Sequence, residues 1–131
     1  MTEVGEMSEQ HKRTVQDFLN LAFNYKRPAE AFARHVHPDY VQHNPHAPDG
    51  AAASAAHLTD FVARFPALSL EIKRVFADRD HVITHCHLKL TPESRGTAIM
   101  DIMRLWEGRI VEHWDVAQEV PEQAANSNTM F

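Results

Sequence analysis

The sequence predicts an α+β protein in which N-terminal helices pack on a strongly curved, mainly antiparallel sheet that encloses a pocket. Two observations carry this prediction. Up to about residue 65 the apolar residues follow helical spacing, whereas from residue 68 onwards they alternate with polar residues as in strands. Helices followed by a run of short strands are typical of an α+β fold with helices on one face of the sheet.

Composition limits the size and the partners of this fold. The 131 residues, 44% of them apolar, fit a single domain over residues 1–131. A net charge of −5 argues against nucleic acid or an anionic membrane as partner, because both require a basic surface. No apolar run is long enough to span a bilayer, and the polar stretch from Met1 to Met7 does not have the apolar centre of a signal peptide. A single cysteine, Cys86, excludes an internal disulfide and favours a cytoplasmic location.

Each predicted helix and strand follows from local sequence signals. Ser8 is the expected N-cap of the first helix, Pro28 suits the first turn of the second and Pro38 ends it, and Asp49 is the expected N-cap of the third. The predicted helices are residues 8–24, 28–35 and 50–64, an extended piece covers 40–45, and the predicted strands lie at 68–76, 82–90, 97–106 and 109–120. Short polar turns between these strands favour an antiparallel meander. The tail, residues 121–131, is expected on the surface or against a partner subunit.

Two carboxylates interrupt apolar strands. Asp101 has apolar neighbours on both sides, and Asp115 follows Trp114 in the last strand. A hairpin centred on Gly108 pairs residues whose numbers sum to 216, which makes Asp101 and Asp115 cross-strand neighbours on one face. Like charges held close separate their pKa values, so that one can act as an acid and the other as a base. The alternatives are an exposed strand face, or a buried aspartate bonded to a histidine or arginine.

The chain contains ten histidines. His85 and His87 share a face of the second strand and are candidates to polarise a carbonyl or to partner a carboxylate, whereas Cys86 between them should point into the core. His43, and less directly His46, could close the mouth of the pocket. The same histidines can also be surface or satisfied core residues, and no zinc-binding spacing is present.

The segments 40–50, 96–105 and 112–118, with the tail from residue 124, resemble the SnoaL-like group of the nuclear transport factor 2-like (NTF2-like) superfamily, often named polyketide cyclases. The resemblance covers nearly the whole chain. It implies an NTF2-like cone, a homodimer packed through the sheet, and catalysis without metal or cofactor. It also implies that Asp115 is the general acid/base. The neighbouring-strand position where those cyclases have a histidine is occupied by Asp101, which is a departure from the pattern.

The expected function is therefore proton transfer by a pocket aspartate on a small hydrophobic carbonyl compound, in an aldol-type condensation or an isomerisation. The alternatives are a non-catalytic ligand-binding dimer, or a protein that binds a metal through histidine and aspartate. The candidate catalytic residues are Asp115, Asp101, His43, His87 and His85, and the expected ligand contacts are Tyr40, Asn44, His113, Met103 and Phe61.

Overall fold

The computed structural model describes residues 2–131, and its helices lie close to the predicted ones. They are α1 (Glu3–Leu19), continued by one π-helical turn (Asn20–Asn24), α2 (Pro28–His35) and α3 (Ala51–Arg64). The prediction of α2 is confirmed. The predicted start of α1 is wrong, because the N-cap is Thr2, whose hydroxyl accepts a hydrogen bond from the Gly5 N–H at 3.1 Å, and Ser8 lies inside the helix.

Gly50, and not Asp49, is the N-cap of α3. The Asp49 carboxylate instead accepts hydrogen bonds from the backbone N–H groups of Gln42 at 2.8 Å and Gly50 at 2.9 Å. The short connection between the extended segment and α3 is therefore closed by one side chain. This contact fixes where the end of the first strand lies relative to α3.

Five strands form one sheet: β1 (Val36–Gln42), β2 (Ser69–Asp78), β3 (His81–Lys89), β4 (Thr97–Trp106) and β5 (Arg109–Glu119). Their spatial order is β1-β5-β4-β3-β2. The predicted antiparallel meander of the last four strands is confirmed, and β1 adds to β5 in parallel at the sheet edge. Pro38 was expected to end α2, but the helix already ends at His35, and Pro38 lies in β1. A strand at the edge of a sheet tolerates a residue without an N–H group.

The helices cover one face of this curled, open sheet, which confirms the predicted α+β fold. The core lies between them and combines helix residues such as Val15 and Phe18 with strand residues such as Val82, Cys86 and Leu105, all nearly or completely buried. Cys86 is fully buried, as its alternation with His85 and His87 predicts. None of the helices in the described part of the chain combines the length and apolar character needed to cross a membrane.

A β-bulge changes the register of the last hairpin. At the turn, Trp106 pairs with Arg109, whereas further along the strands Arg104 pairs with Glu112. Val111 is therefore an extra residue on β5, and it is buried. A bulge of this kind shifts the pairing by one residue and so exchanges the two faces of the strand beyond it.

The bulge determines which side chains of β5 face the helices. Without it, the turn would pair Asp101 with Trp114 and place Asp115 on the outer face. With it, Asp101 pairs directly with Asp115, and His113 shares the inner face. The predicted pairing of the two carboxylates is confirmed, although the sequence-based register assumed a turn centred on Gly108 and contained no bulge.

Candidate functional site

A cavity of about 220 Å³ lies between the helices and the inner face of the sheet. Its wall is mostly apolar, with polar groups concentrated on β1, β4 and β5. The apolar wall includes Phe18, Leu19, Phe23, Phe32, Leu58, Phe61, Leu70, Leu88, Ile99 and Met103, and the polar part includes Tyr40, Gln42, Asn44, Asp101, His113 and Asp115. An apolar pocket with a few convergent polar groups is the usual form of a small-molecule site.

Asp101 and His113 form a buried pair at the centre of the polar part. The His113 Nε2 and Asp101 Oδ1 atoms are 2.7 Å apart, and the two residues are only 9% and 7% exposed. The second carboxylate oxygen of Asp101 accepts a long hydrogen bond from the Thr84 hydroxyl at 3.4 Å. Asp101 is thus a buried carboxylate with partners on two neighbouring strands, as a buried charge requires.

Gln42 determines how the ring of His113 is protonated. The backbone N–H of Asn44, which can only donate, lies 3.1 Å from Gln42 Oε1, so this atom must be the amide oxygen. The same oxygen lies 2.7 Å from His113 Nδ1, which must therefore carry a proton and donate it. The amide nitrogen of Gln42 then faces the hydroxyl oxygen of Tyr40 at 2.9 Å.

The other ring nitrogen of His113 faces a carboxylate, so the charged imidazolium donates from both nitrogens. Burial opposes this charge, but the hydrogen bond and charge of Asp101, with the charge of Asp115, outweigh it and raise the pKa of His113 above its ordinary value. His113 and Asp101 therefore form an ion pair in which both N–H groups of the ring are already used.

Asp115 is the carboxylate that remains available to a ligand. It is half-buried in the cavity wall, and the Asn44 side-chain amide donates to its two oxygens at 2.8 and 3.1 Å. Burial and the nearby charge of Asp101 raise the pKa of Asp115, against the opposing effects of His113, the Asn44 hydrogen bond and His46. A carboxylate with a raised pKa in an apolar cavity is a stronger base than one in water.

The expected ligand contacts Tyr40, Asn44, His113, Met103 and Phe61 all line the cavity, and so does His46. His43 does not. The backbone N–H of His43 bonds to the His113 carbonyl at 2.9 Å, and its ring stacks on Trp114 with centroids 4.7 Å apart on the outer face of the sheet. Its Nε2 also bonds to Glu112 at 2.7 Å. Alternation along the chain explains this position, because Gln42 and Asn44 on either side point inwards.

His85 and His87 also lie on the outer face, because their neighbours Thr84 and Cys86 occupy the inner one. The rings of both histidines stack on Phe131, with centroids 5.6 Å apart for His85 and 4.0 Å for His87. The expectation that they polarise a bound carbonyl is corrected by this geometry. The tail, expected on the surface or on a partner, is exposed over residues 121–129, and its last residue, Phe131, packs on its own sheet.

Gln42 and His57 are among the cavity residues that the sequence did not predict. Gln42 had a usable signal, since Tyr40, Gln42 and Asn44 alternate in one extended segment and therefore share a face. His57 gave none, because it is an exposed residue on α3 whose approach to the cavity depends on how that helix packs.

The cavity also contains a group of possible metal ligands. Asp101, His113 and Asp115 each offer one ligand atom, and these atoms lie within 4.8 Å of one another. The hydrogen bond from His113 Nδ1 to Gln42 resembles the outer contact that usually orients a metal-binding histidine. In the present arrangement His113 Nε2 bonds to Asp101, so a metal ion would have to replace that hydrogen bond.

The curled sheet covered on one face by helices places the chain in the NTF2-like class of α+β proteins. Within that class, the sequence model of the SnoaL-like domain matches residues 15–113, so the chain belongs to the SnoaL-like domain family. No curated protein sequence matches the chain.

Solved structures with the same fold have different names. A protein provisionally assigned as a SnoaL-like polyketide cyclase from Jannaschia sp. CCS1 has a TM-score of 0.70 and 14% identity, covering 89% of this chain and 91% of that one. One provisionally assigned as a ketosteroid isomerase from Kribbella flavida DSM 17836 has a TM-score of 0.71 and 15% identity, covering 91% and 85%. An LEH-like epoxide hydrolase of M. tuberculosis has a TM-score of 0.66 and 21% identity, covering 85% and 84%. At these identities the likeness concerns the fold, and the reaction must be argued from the site.

Proposed function

We propose that the protein is a cofactor-independent enzyme in which Asp115 removes a proton from the carbon next to a carbonyl group of a small, mostly apolar compound. The observation that carries this proposal is the position of Asp115, a half-buried carboxylate with a raised pKa in a mostly apolar cavity. Asp101 is a poorer candidate for the base, because its carboxylate is buried and paired with His113.

The proposed step is balanced within the ligand and Asp115. The C–H bond breaks, its proton goes to a carboxylate oxygen of Asp115, and its electron pair forms a C=C bond as the carbonyl becomes an enolate. In an aldol-type closure the enolate carbon attacks a second carbonyl, and the resulting alkoxide takes the proton back from Asp115. In an isomerisation the enolate is a conjugated dienolate, which takes that proton back at its γ-carbon. Base catalysis of this kind contributes about 10²–10⁴-fold to the rate.

The size of the cavity limits the ligand. An apolar cavity on the order of 150 Å³ holds one benzene ring. A cavity of about 220 Å³ therefore suits a compound of one or two rings, or a short chain of similar volume. Its apolar wall favours a ligand whose polar groups, one carbonyl or two, lie together at one end, against β1, β4 and β5.

The proposal is tested by exchange of carbon-bound protons. The bicyclic ketone 2-tetralone is incubated with the protein in D₂O, and loss of its α-proton signals is followed by NMR. Asp115→Asn should lower the protein-catalysed exchange at least about 10²-fold. The matched control is Asp60→Asn, which removes an exposed carboxylate on α3 and should leave exchange unchanged. Exchange by Asp115→Asn at the rate of the unmodified protein would refute the proposal.

A non-catalytic binding protein is the second candidate, and the apolar lining of the cavity supports it equally well. The same experiment separates the two, since a binding protein would hold 2-tetralone without accelerating exchange. A metal site at Asp101, His113 and Asp115 is the third candidate, because of the 4.8 Å cluster. Elemental analysis of protein purified without a histidine tag tests it, and metal-free protein with normal exchange activity would exclude it.

We also propose a homodimer formed through the outer face of the sheet. Exposed apolar residues there include Ile83, Met100, Ile102 and Val116, the last 73% exposed. An apolar patch of this kind on a sheet usually contacts a partner. Light scattering should find a dimer, and Val116→Lys should shift it towards monomer. A monomeric unmodified protein at micromolar concentration would contradict this proposal.

The proposed location is the cytoplasm. Cys86 is fully buried and free, and burial raises the pKa of its thiol to about 12, so that it is an inert core residue compatible with a reducing compartment. Cell fractionation tests this, and recovery of the protein outside the cytoplasmic fraction would contradict it.

A further inference from the structure

We propose that the Tyr40 hydroxyl donates the hydrogen bond that holds the oxygen of the ligand, and that Gln42 directs the Tyr40 proton into the cavity. This inference rests on the proposed function, because it supplies the donor for the enolate oxygen that proton removal creates. It makes Tyr40 a residue that touches the ligand, and Gln42 a positioning residue that acts through Tyr40.

The hydrogen bond between Gln42 and Tyr40 has a definite direction. The backbone N–H of Asn44 fixes Gln42 Oε1 as the acceptor end of the amide, so Nε2 is the end that lies 2.9 Å from the Tyr40 oxygen. An amide nitrogen can only donate, and the Tyr40 oxygen therefore accepts. Among residues 2–131, the Tyr40 hydroxyl accepts this bond and donates none, so its proton is free to point at a ligand.

The neighbouring donors are already engaged. Both ring N–H groups of His113 are donated to Gln42 and Asp101, at 2.7 Å each. The Asn44 amide N–H₂ faces the carboxylate of Asp115. His46 and His57 also line the cavity, but both are exposed to water. Tyr40 is thus the buried polar group of the cavity wall whose donor is uncommitted.

The surroundings of Tyr40 keep that donor protonated and fixed. The ring is 6% exposed and meets Phe32 edge to face at a centroid distance of 5.8 Å. Burial, and then the charges of Asp101 and Asp115, raise the pKa of Tyr40, so the hydroxyl remains neutral at any working pH. The chain of bonds from Asp101 through His113 and Gln42 also polarises the hydroxyl in the direction that strengthens its donation.

This arrangement narrows the ligand class. The ligand must present an oxygen that accepts a hydrogen bond, as a ketone, an enolate or a phenolate does. The carbon that loses its proton must lie beside that oxygen, because Asp115 and Tyr40 line the same polar part of the cavity. A ligand whose only polar group is a donor does not satisfy Tyr40.

The test measures binding of 4-nitrophenol, whose phenolate resembles an enolate and has its own absorption band. The background is Asp115→Asn, which removes the repelling charge of the base and resembles its protonated form. On this background, Tyr40→Phe should weaken phenolate binding about 10- to 100-fold, the range for a hydrogen bond to a charged group. Tyr25→Phe is the matched control, because it removes a hydroxyl from a tyrosine that is 70% exposed, and it should change nothing.

The role of Gln42 is tested by Gln42→Glu, which replaces the donor by a carboxylate. The Tyr40 proton then turns to this carboxylate and away from the cavity. Binding of the neutral ketone 2-tetralone, which the new charge does not repel, should therefore fall as much as in Tyr40→Phe although Tyr40 is present. Combining the two substitutions should cause no further loss. A residue that only supported the fold would give additive losses.

Unchanged phenolate binding in Tyr40→Phe, or additive losses with Gln42→Glu, would overturn the inference. Failure of Asp115→Asn itself to bind the phenolate would overturn it as well. The proposed function fails on a different result: Asp115→Asn would then exchange the α-protons of 2-tetralone as fast as the unmodified protein does. The binding measurement needs no turnover, so each proposal can fail alone.

Discussion

Asp101→Asn is the substitution that most directly examines the buried pair at the centre of the site. In the native protein the imidazolium of His113 donates to Gln42 at 2.7 Å and to Asp101 at 2.7 Å. The introduced amide can donate from its nitrogen to His113 Nε2, provided that this nitrogen has lost its proton. We therefore expect His113 to become neutral, with its remaining proton on Nδ1 facing Gln42.

The loss of unfolding free energy depends on whether His113 keeps a hydrogen-bond partner at position 101. Removing one member of a buried ion pair without replacement costs about 3–5 kcal/mol of unfolding free energy, which is the expectation for Asp101→Leu. The introduced asparagine restores a neutral hydrogen bond and keeps an oxygen for Thr84, so Asp101→Asn should cost only about 1–2 kcal/mol near neutral pH. The two substitutions should therefore differ by at least about 1 kcal/mol.

The pH dependence has a definite sign. The pKa of His113 is raised in the folded protein, so its contribution to stability is fully present below its unfolded value of about 6.5. That contribution is lost as the pH rises through the folded value. The advantage of the native protein over Asp101→Asn should thus be largest near about pH 6 and should shrink as the pH rises through the raised pKa of His113, above which Asp101 would face the lone pair of a neutral ring.

Urea denaturation across this pH range, with NMR titration of the histidine rings, measures both effects. Asp17→Asn is the control, because Asp17 bonds to His35 in a pair whose carboxylate is 53% exposed. An exposed pair of this kind contributes about 1 kcal/mol or less. A stability difference between the native protein and Asp101→Asn that does not change with pH would refute the assignment of a charged His113.

Two further substitutions examine Asn44 and Gly96. Asn44→Leu removes a hydrogen bond that lowers the pKa of Asp115, so the pKa of this base should rise. As the solution is acidified, 2-tetralone exchange should therefore begin to fall at a higher pH than in the unmodified protein. An unchanged pH profile would contradict this prediction. Gly96→Ala places a Cβ 2.4 Å from the Leu88 carbonyl oxygen at φ +78°, whereas Gly50→Ala meets nothing within 4 Å at φ +92°. Both variants carry the backbone cost of about 1–2 kcal/mol, but Gly96→Ala should lose more unfolding free energy in urea, and equal losses would contradict the steric argument.

Local chemistry made much of the fold predictable. Pro28 at the first turn of α2, the alternation of Val82 to Leu90, and the polar turns between strands each select one conformation from a few neighbouring residues. Ser8 misled because it satisfies the N-cap pattern inside a helix that Thr2 already caps. The parallel addition of β1 to β5 was not predicted, since pairing between distant segments leaves little local signal.

The candidate site was predictable where period two alone decides the face. Asp101 and Met103 follow from one continuous strand, as does the buried position of Cys86. His43 and His85 were placed on the wrong side because each has a polar side chain that either face could accept. Only packing decides between the faces, and the inner positions beside them are taken by Asn44 and Thr84.

Asp115 shows which features of the site follow from the sequence and which require the tertiary structure. The sequence alone determined that an aspartate interrupts the last strand and that Asp101 lies in the strand before it, because both stand among apolar residues in a pattern of period two. The tertiary structure decided that Asp115 faces the cavity, since the Val111 bulge shifts the register between the turn and the pair. It also decided that Asp101 belongs to His113, because Gln42 from the distant β1 strand fixes the proton on the His113 ring. A hydrogen-bond chain that crosses three elements exists only once the chain has folded.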